Sequence, residues 1–296
     1  MTVALETGIL AMRAPETIVR VDAAAAQSAT LASMPNDNID DPASAGLGAH
    51  MDATQYQLES IEKYEGVYGR NFVSPGGLAS ARACIARLGL RPGMRVLDVG
   101  CGLGGSAFCM ARDHGVQVHG IDVSANMIEG ARQRLHAEGL QGLVTLEQQD
   151  VMALDLARHG ARYQVVYSRD AFLHIHEKAR LLGVLRELLA VGGLLFFTDY
   201  CRGEGAPSKA FAAYIVERQY DLRTVSEYRQ LLEHADFSQV QVIDRTAEFG
   251  AILRDELSRI DEDAAHAAIR RSWSEKLERA QTGEQGWCWG EGRRAS

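Results

Sequence analysis

The chain has 296 residues, a formal net charge of −8 and five cysteines, none in a C-x-x-C pair. Without a basic surplus nothing neutralises a phosphate backbone, so nucleic acid is not expected as a partner. No apolar run reaches the roughly 18 residues that a membrane span needs. The scattered, odd-numbered cysteines read as reduced thiols of a cytoplasmic protein, not as a disulfide framework or zinc knuckle, and MTVALETGIL at the start lacks the basic residues of a secretory signal.

Residues 1–50 contain no aromatic side chain and are expected to form a disordered tail, with order beginning near Met51 and one domain from there to 296. DATQYQLESIEKYEGVYG has helical spacing of its large residues, and FVSPGGLASARACIARLGL reads as a turn followed by a helix. Then strands and helices alternate. RVLDVG, VQVHGIDVS, VTLEQQD, YQVVYSRD and LLFFTDYC are the strands; GGSAFCMARDHG, ANMIEGARQRLHAEG and EKARLLGVLRELLAVGG are helices. This alternation predicts a parallel sheet with helices on both faces. After Cys201 the pattern turns mainly helical. SKAFAAYIVERQY leads to TVSEYRQLLEHADF, which opens with a capping box from Thr224 to Glu227. VQVIDRT and GEQGWCWG are strands with two helical stretches between them. Residues from about 202 to 280 are expected to form a helical substrate-binding cap.

VLDVGCGLGG (Val96–Gly105) is a strand, a glycine turn and a helix start, where backbone amides face a closely approaching ligand. Acidic residues end three successive strands: Asp98, Asp122 and Asp150. Asp122 suits ribose hydroxyls and Asp150 an adenine amino group. A nicotinamide dinucleotide also uses glycines and a second-strand carboxylate, but Asp98 beside the first glycine would repel its pyrophosphate. Asp98 suits a cationic ligand, and S-adenosylmethionine (SAM) carries an ammonium and a sulfonium.

YSRDAFLHIHEK (Tyr167–Lys178) follows the fourth strand with Asp170, His174 and His176. As a metal site it is a poor candidate, because His176 stands two positions from His174 and points elsewhere on a helix; no metal is expected. A carboxylate and an imidazole on one helical face can instead grip and deprotonate an amine. Tyr214 and Arg218 share a face at i, i+4, suited to an anion, and Tyr220 joins them if the helix ends and the backbone turns.

YEGVYGRNFVSPGG, VLDVGCGLGG, HGIDVSANMI, YSRDAFLHI, TDYC and FAAYIVERQYDLRTVSEY together resemble phosphoethanolamine N-methyltransferases. The resemblance runs in order from about Tyr56 to Trp287 and looks like the one-domain forms of that family. It implies a class I methyltransferase fold: a Rossmann-like α/β sheet with a helical cap. Carried over residue by residue, it implies SAM contacts from Val73, Ser74, Asp98, Gly100, Gly102, Asp122, Val123, Asp150, Val151 and Arg169. Tyr56 and His174 would form a hydrogen-bonded catalytic dyad, Asp170 would hold the amine, and Tyr64, Tyr200, Tyr214, Arg218, Tyr220 and Lys276 would bind the substrate with its phosphate. His176 is left as a bystander. Where the family has an arginine before its C-terminal tryptophan, this chain has Gly286.

The function expected is N-methylation of phosphoethanolamine and its mono- and dimethyl forms. A small zwitterion such as methionine, methylated on sulfur, is the alternative acceptor. A non-catalytic SAM-binding regulator is a different class, disfavoured because a mere binder has no use for Asp170 and His174. The expected partner is a small molecule with an anionic group and an amine or thioether, and neither nucleic acid nor membrane.

Overall fold

A computed structural model describes residues 42–264 and 266–295. In chain order the elements begin with three helices, α1 (Pro42–Thr54), α2 (Leu58–Tyr68) and α3 (Gly77–Ile85). An alternating series follows: β1 (Arg95–Val99), α4 (Gly105–His114), β2 (Gln117–Asp122), α5 (Ala125–Glu138), β3 (Val144–Gln148), α6 (Leu156–His159), β4 (Tyr163–Arg169), α7 (Lys178–Leu188) and β5 (Leu189–Arg202). The last third contains α8 (Lys209–Glu217), α9 (Val225–His234), β6 (Phe237–Asp244), α10 (Thr246–Arg259), α11 (Ala267–Thr282) and β7 (Gln285–Arg294).

The seven strands form one sheet in the order β3-β2-β1-β4-β5-β7-β6. Strands β1 to β5 pair in parallel, as the alternation predicts. β7 corrects that expectation, because it inserts antiparallel between β5 and β6. The sheet is therefore mixed, with β7 antiparallel to both of its neighbours.

Successive side chains of a strand point to opposite faces, and this sorts two cores. Val96, Val165, Leu194 and Phe196 pack with α3, α4, α10 and α11. Leu97, Val166, Leu195 and Phe197 pack with α7 and α9. The parallel strands all end on the same side, so Val99, Asp122, Gln148 and Arg169 open onto one rim. That rim is where ligands bind in open α/β sheets.

Four expectations need correction. Helix α1 starts at Pro42, before Met51, so only residues 1–41 of the expected tail fall outside the described residues. The single helix read from DATQYQLESIEKYEGVYG is two, broken at Gln55–Gln57, and the break leaves Tyr56 between them. Helix α7 stops at Leu188; Ala190–Gly193 belong to β5, whose Leu189 pairs with Tyr163. Finally, residues 202–280 are not all cap. Tyr228 and Leu232 of α9 pack under the sheet and β6 is its edge strand, so the cap proper is α8, α10 and α11 beside α2. The capping box of α9 is present as read, with the Thr224 and Glu227 side chains each bonded to the other's backbone N–H.

Candidate active site

The cleft at the rim is lined by Tyr56, Val73, Ser74, Gly100, Gly102, Asp122, Val123, Asp150, Val151, Arg169, Asp170 and His174, together with Leu47 and Met51 of α1. The turn after β1 has to be glycine. Gly100 has φ of +69°, and a Cβ there would lie 2.4 Å from that of Ala171. Asp122 supports the turn: one carboxylate oxygen accepts from Gly102 N–H and the other from Ser124 N–H, each at 2.9 Å. Asp150 caps the short turn Val151–Ala153 through Met152 N–H at 2.8 Å.

Asp98 is buried, and its Oδ2 has no hydrogen-bond partner among the described residues. Burial raises its pKa to about 7, against the opposing pull of Arg169; Asp122 adds to the rise by repulsion. Burial likewise lifts Asp122 to about 6, against the amides that bond it. Two neighbouring buried carboxylates, one with an idle oxygen, suit a ligand that brings positive charge and N–H or O–H donors. Arg169 is held within the protein, donating from Nη2 to Pro75 O at 2.8 Å and from Nη1 to Gly77 O at 3.3 Å. It thus clamps the Ser74–Gly77 turn from one side. Glu256 of α10 clamps it from the other, accepting from Gly76 N–H at 2.7 Å and from Trp273 Nε1–H at 2.9 Å.

Asp170 stands where this cleft meets the cap. Its φ of +51° lies in the left-handed region, uncommon for a residue with a side chain but more accessible to Asp than to most. Oδ1 accepts from Thr198 Oγ1 at 2.8 Å and from Trp287 Nε1 at 2.7 Å; Oδ2 is buried without a partner among the described residues. Burial raises its pKa, while Arg169, the Trp287 and Thr198 bonds and Lys276 pull the other way.

His174 ends a 3₁₀ turn, Phe172–His174, so it does not share a helix face with Asp170 as expected. Its ring is buried, and its pKa falls to about 3, through burial first and then the charges of Lys178 and Arg218. Tyr56 meets it edge-on with ring centroids 6.4 Å apart, and Tyr220 does so at 5.2 Å. Among the described residues no hydrogen bond joins Tyr56 to His174, so the pair is adjacent but not linked as the dyad expectation has it. His176 is exposed, away from the cleft.

The cation pocket comes from the cap. Helix α8 ends at Glu217, Gln219 takes a φ of +54°, and Tyr220 N–H turns back to Ile215 O at 3.0 Å. That reversal brings Tyr220 against Tyr214, at 6.0 Å between centroids. Arg218 lies over the Tyr214 ring at 5.6 Å and Arg279 at 4.2 Å. Lys276 is buried, 4.7 Å from the Trp273 ring and 3.5 Å from Tyr200 Oη. Tyr64 stacks on Tyr68 at 6.2 Å and leans on Trp273 at 6.3 Å. Burial lowers the Lys276 pKa to about 8, against the pull of Glu256; Arg279 and Arg218 lower it further, and Asp170 raises it. At position 286 a Cβ would come 2.6 Å from Thr246 Oγ1, so a side chain there requires the Thr246 hydroxyl to shift. With glycine at 286, the cations grouped here are Arg218, Lys276 and Arg279.

Sequence reading missed Glu256 and Arg279, which lie in no local motif, and the role of Thr198, which it quotes in TDYC without assigning it a part. It also missed the role of Trp287, visible in GEQGWCWG but without a sign that its indole N–H reaches Asp170 across 117 positions. Among the described residues, the one group close enough to share an ion is Asp261, Asp263 and His266, which is exposed and outside the cleft.

Comparison with known proteins sets this geometry in a family. Residues 90–280 match a family model described as a methyltransferase domain. Phosphoethanolamine N-methyltransferase 1 of Zea mays is 38% identical over 252 residues, covering 82% of this chain and 50% of the relative. The chain thus spans about half the length of such plant relatives. The Plasmodium falciparum phosphoethanolamine N-methyltransferase is 27% identical over 250 residues, 80% of this chain and 92% of its own length. Phosphoethanolamine N-methyltransferase 2 of Haemonchus contortus, solved with phosphomonomethylethanolamine and S-adenosylhomocysteine, superposes with a TM-score of 0.81 at 30% identity, over 84% of this chain and 61% of that one. With the family model covering the strands and helices that build the cleft, the chain belongs to the methyltransferase domain family, and phosphoethanolamine N-methyltransferases are among its relatives.

Proposed function

We propose that this chain methylates the amine of phosphoethanolamine, and of its mono- and dimethyl forms, with SAM as donor. One observation carries the reading. Asp170 lines the glycine cleft with an idle carboxylate oxygen and is within electrostatic reach of Lys276, which in turn senses Arg279 and Arg218. That arrangement suits a small acceptor with an ammonium at one end and a strong anion at the other. The names of the plant and Plasmodium relatives, and the phosphomonomethylethanolamine in the Haemonchus structure, support the same acceptor.

The cleft fits the donor on its own chemistry. Asp98 Oδ2 lacks a partner, which a cationic amino group would supply. Gly100 leaves no room for a side chain, so backbone can lie against a ligand. Asp122 and Asp150 would take the ribose and adenine, with Val73, Ser74, Gly102, Val123, Val151 and Arg169 around them. When bound, SAM supplies an electrophilic methyl group.

The chain's own residues do the rest. Asp170 binds the acceptor ammonium and aims it across the rim. That ammonium, with an unperturbed pKa of roughly 10 by analogy with lysine, must lose a proton to expose its lone pair. His174 stays neutral at working pH, so its ring nitrogen is a hydrogen-bond acceptor and not a stored charge. Its proton affinity is too low to retain the proton, which passes on to solvent, and turnover rises with pH as the ammonium yields it more easily. Tyr56 and Tyr220 flank the imidazole edge-on and fix the orientation of its ring. The cytoplasm is the proposed compartment, supported by five cysteines that are all free and buried; among the described residues no helix is long and apolar enough to cross a membrane.

The test is turnover with labelled donor on phosphoethanolamine beside a panel of amines and methionine, from pH 6 to 9. Methylation of phosphoethanolamine, rising with pH, is expected. Activity on methionine alone, with no such rise, would replace the amine by a thioether, whose sulfur needs no deprotonation.

A further inference from the structure

The stretch YSRDAFLHIHEK ends in Lys178, a residue to which neither its sequence nor the reaction gives a part. It opens α7, faces away from solvent, and its side chain is 1% exposed. A buried ammonium needs partners for its three N–H donors. Lys178 Nζ donates to three backbone carbonyls: Ile175 O at 2.6 Å, Phe172 O at 2.8 Å and Asp221 O at 2.9 Å. All three donors are used. The Asp221 carboxylate lies 3.7 Å away and is itself paired to Arg223 at 2.8 Å.

The choice of carbonyls is informative. Phe172 and Ile175 bracket His174, one on each side of its 3₁₀ turn. Asp221 follows Tyr220, which comes from the cap and packs edge-on to the His174 ring at 5.2 Å. One backbone bond already crosses the same gap, from Asp221 N–H to Leu173 O at 2.8 Å. Beneath the turn, buried Asp199 accepts from Leu173 N–H at 3.1 Å and from the Tyr228 hydroxyl. Ordinary helix packing needs none of this, since a leucine would fill the position without a charge to neutralise. An ammonium can gather carbonyls from two chain segments that otherwise share a single hydrogen bond.

We propose that Lys178 is a positioning residue: its buried ammonium pins the His174 turn of the sheet to the Tyr220 segment of the cap, so that the two rings form one wall of the acceptor site. The kinetic consequence rests on the methyltransferase reading above; the pinning itself does not. Lys178 also acts on His174 by charge, as the largest electrostatic contribution after burial, with Arg218 and His176 adding to it.

The experiment compares wild type with Lys178→Met, which keeps length but removes charge and donors, and with Lys178→Gln, which keeps two donors and is milder should the first fail to fold. Native-state amide exchange is read by segment. Exchange should quicken at 172–175 and at 220–222 together, at least tenfold in Lys178→Met and less in Lys178→Gln, with the strands of the sheet unchanged. Turnover on phosphoethanolamine should fall at least 30-fold in Lys178→Met, while calorimetric affinity for S-adenosylhomocysteine stays within threefold. Exchange that quickens everywhere, or in only one of the two segments, would make Lys178 a general stability residue and overturn the proposal. So would full turnover in a folded Lys178→Met. Because exchange is read without an acceptor, an inactive wild type would defeat the acceptor assignment and leave the pinning decided.

Discussion

The two halves of the site are built from different materials. The glycine cleft is made largely of backbone: the Gly100–Gly104 turn, amides that bond Asp122, and carbonyls that hold Arg169. The proposed acceptor side is made of side chains drawn from α2, the turn after β4, β5, α8 and the turn after it, α11 and β7, with ring contacts and charges in place of amides. Backbone geometry survives most substitutions, whereas a side-chain cage loses a partner with each one. Changes on the acceptor side should therefore cost much more than changes of similar size on the donor side.

The sharpest way to break that contrast is Asp170→Asn. Removing one partner of a buried ion pair costs roughly 3–5 kcal/mol, so turnover should fall roughly 100- to 5,000-fold. Donor affinity should move less than threefold by calorimetry. A comparable loss of donor binding would show that the two halves are not separable at Asp170.

The next largest effect concerns Lys276, and the sign follows from its lowered pKa of about 8. Below pH 8 the ammonium is charged and, on the proposed reading, would hold the acceptor anion; above it the charge is lost. A phosphate monoester is already dianionic there, with a second pKa of about 6. The Michaelis constant for the acceptor should thus rise about tenfold between pH 7 and 9.5 in wild type, a charge-assisted bond being worth roughly 1.5–3 kcal/mol. In Lys276→Arg the constant should stay flat, because guanidinium does not titrate in this range. A limb that persists in the variant would assign the effect to another group.

The smallest effect is expected at Asp122→Ala. Its two oxygens support the turn as well as a ligand, yet the turn keeps its glycine geometry. Donor affinity should weaken about threefold, in line with the roughly 0.5–1 kcal/mol of an ordinary hydrogen bond, with the acceptor's Michaelis constant unchanged. A loss of hundreds-fold would mean that the cleft depends on side chains after all.

The same difference in materials explains what could be read from the sequence. Donor-side features are local: VLDVGCGLGG contains its strand, turn and helix start within ten residues, and Asp122 and Asp150 end strands that announce themselves. The parallel strands, the capping box at Thr224 and the turn that delivers Tyr220 were legible for that reason. Trp287, Thr198, Glu256 and Arg279 act on residues far away in the chain, and no spacing marks them. The antiparallel insertion of β7 was equally hidden, since a strand's direction depends on where the preceding α10–α11 pair returns it. Asp170 and His174 stand out in the sequence and both line the cleft, but they do not share a helix face as expected, because a positive φ at an aspartate leaves no trace in residue order.

The cations of the acceptor pocket lie inside a protein whose overall charge is −8. On the proposed reading, a phosphate dianion would meet a net negative protein at a distance and the pocket's cations only on close approach. Dissolved ions damp long-range forces first, over a Debye length of about 8 Å at physiological strength. Selection of the anion would thus be a property of arrival and not of approach. Moderate salt should leave encounter rates level or slightly faster, the reverse of the usual slowing when a positive surface steers an anion inward.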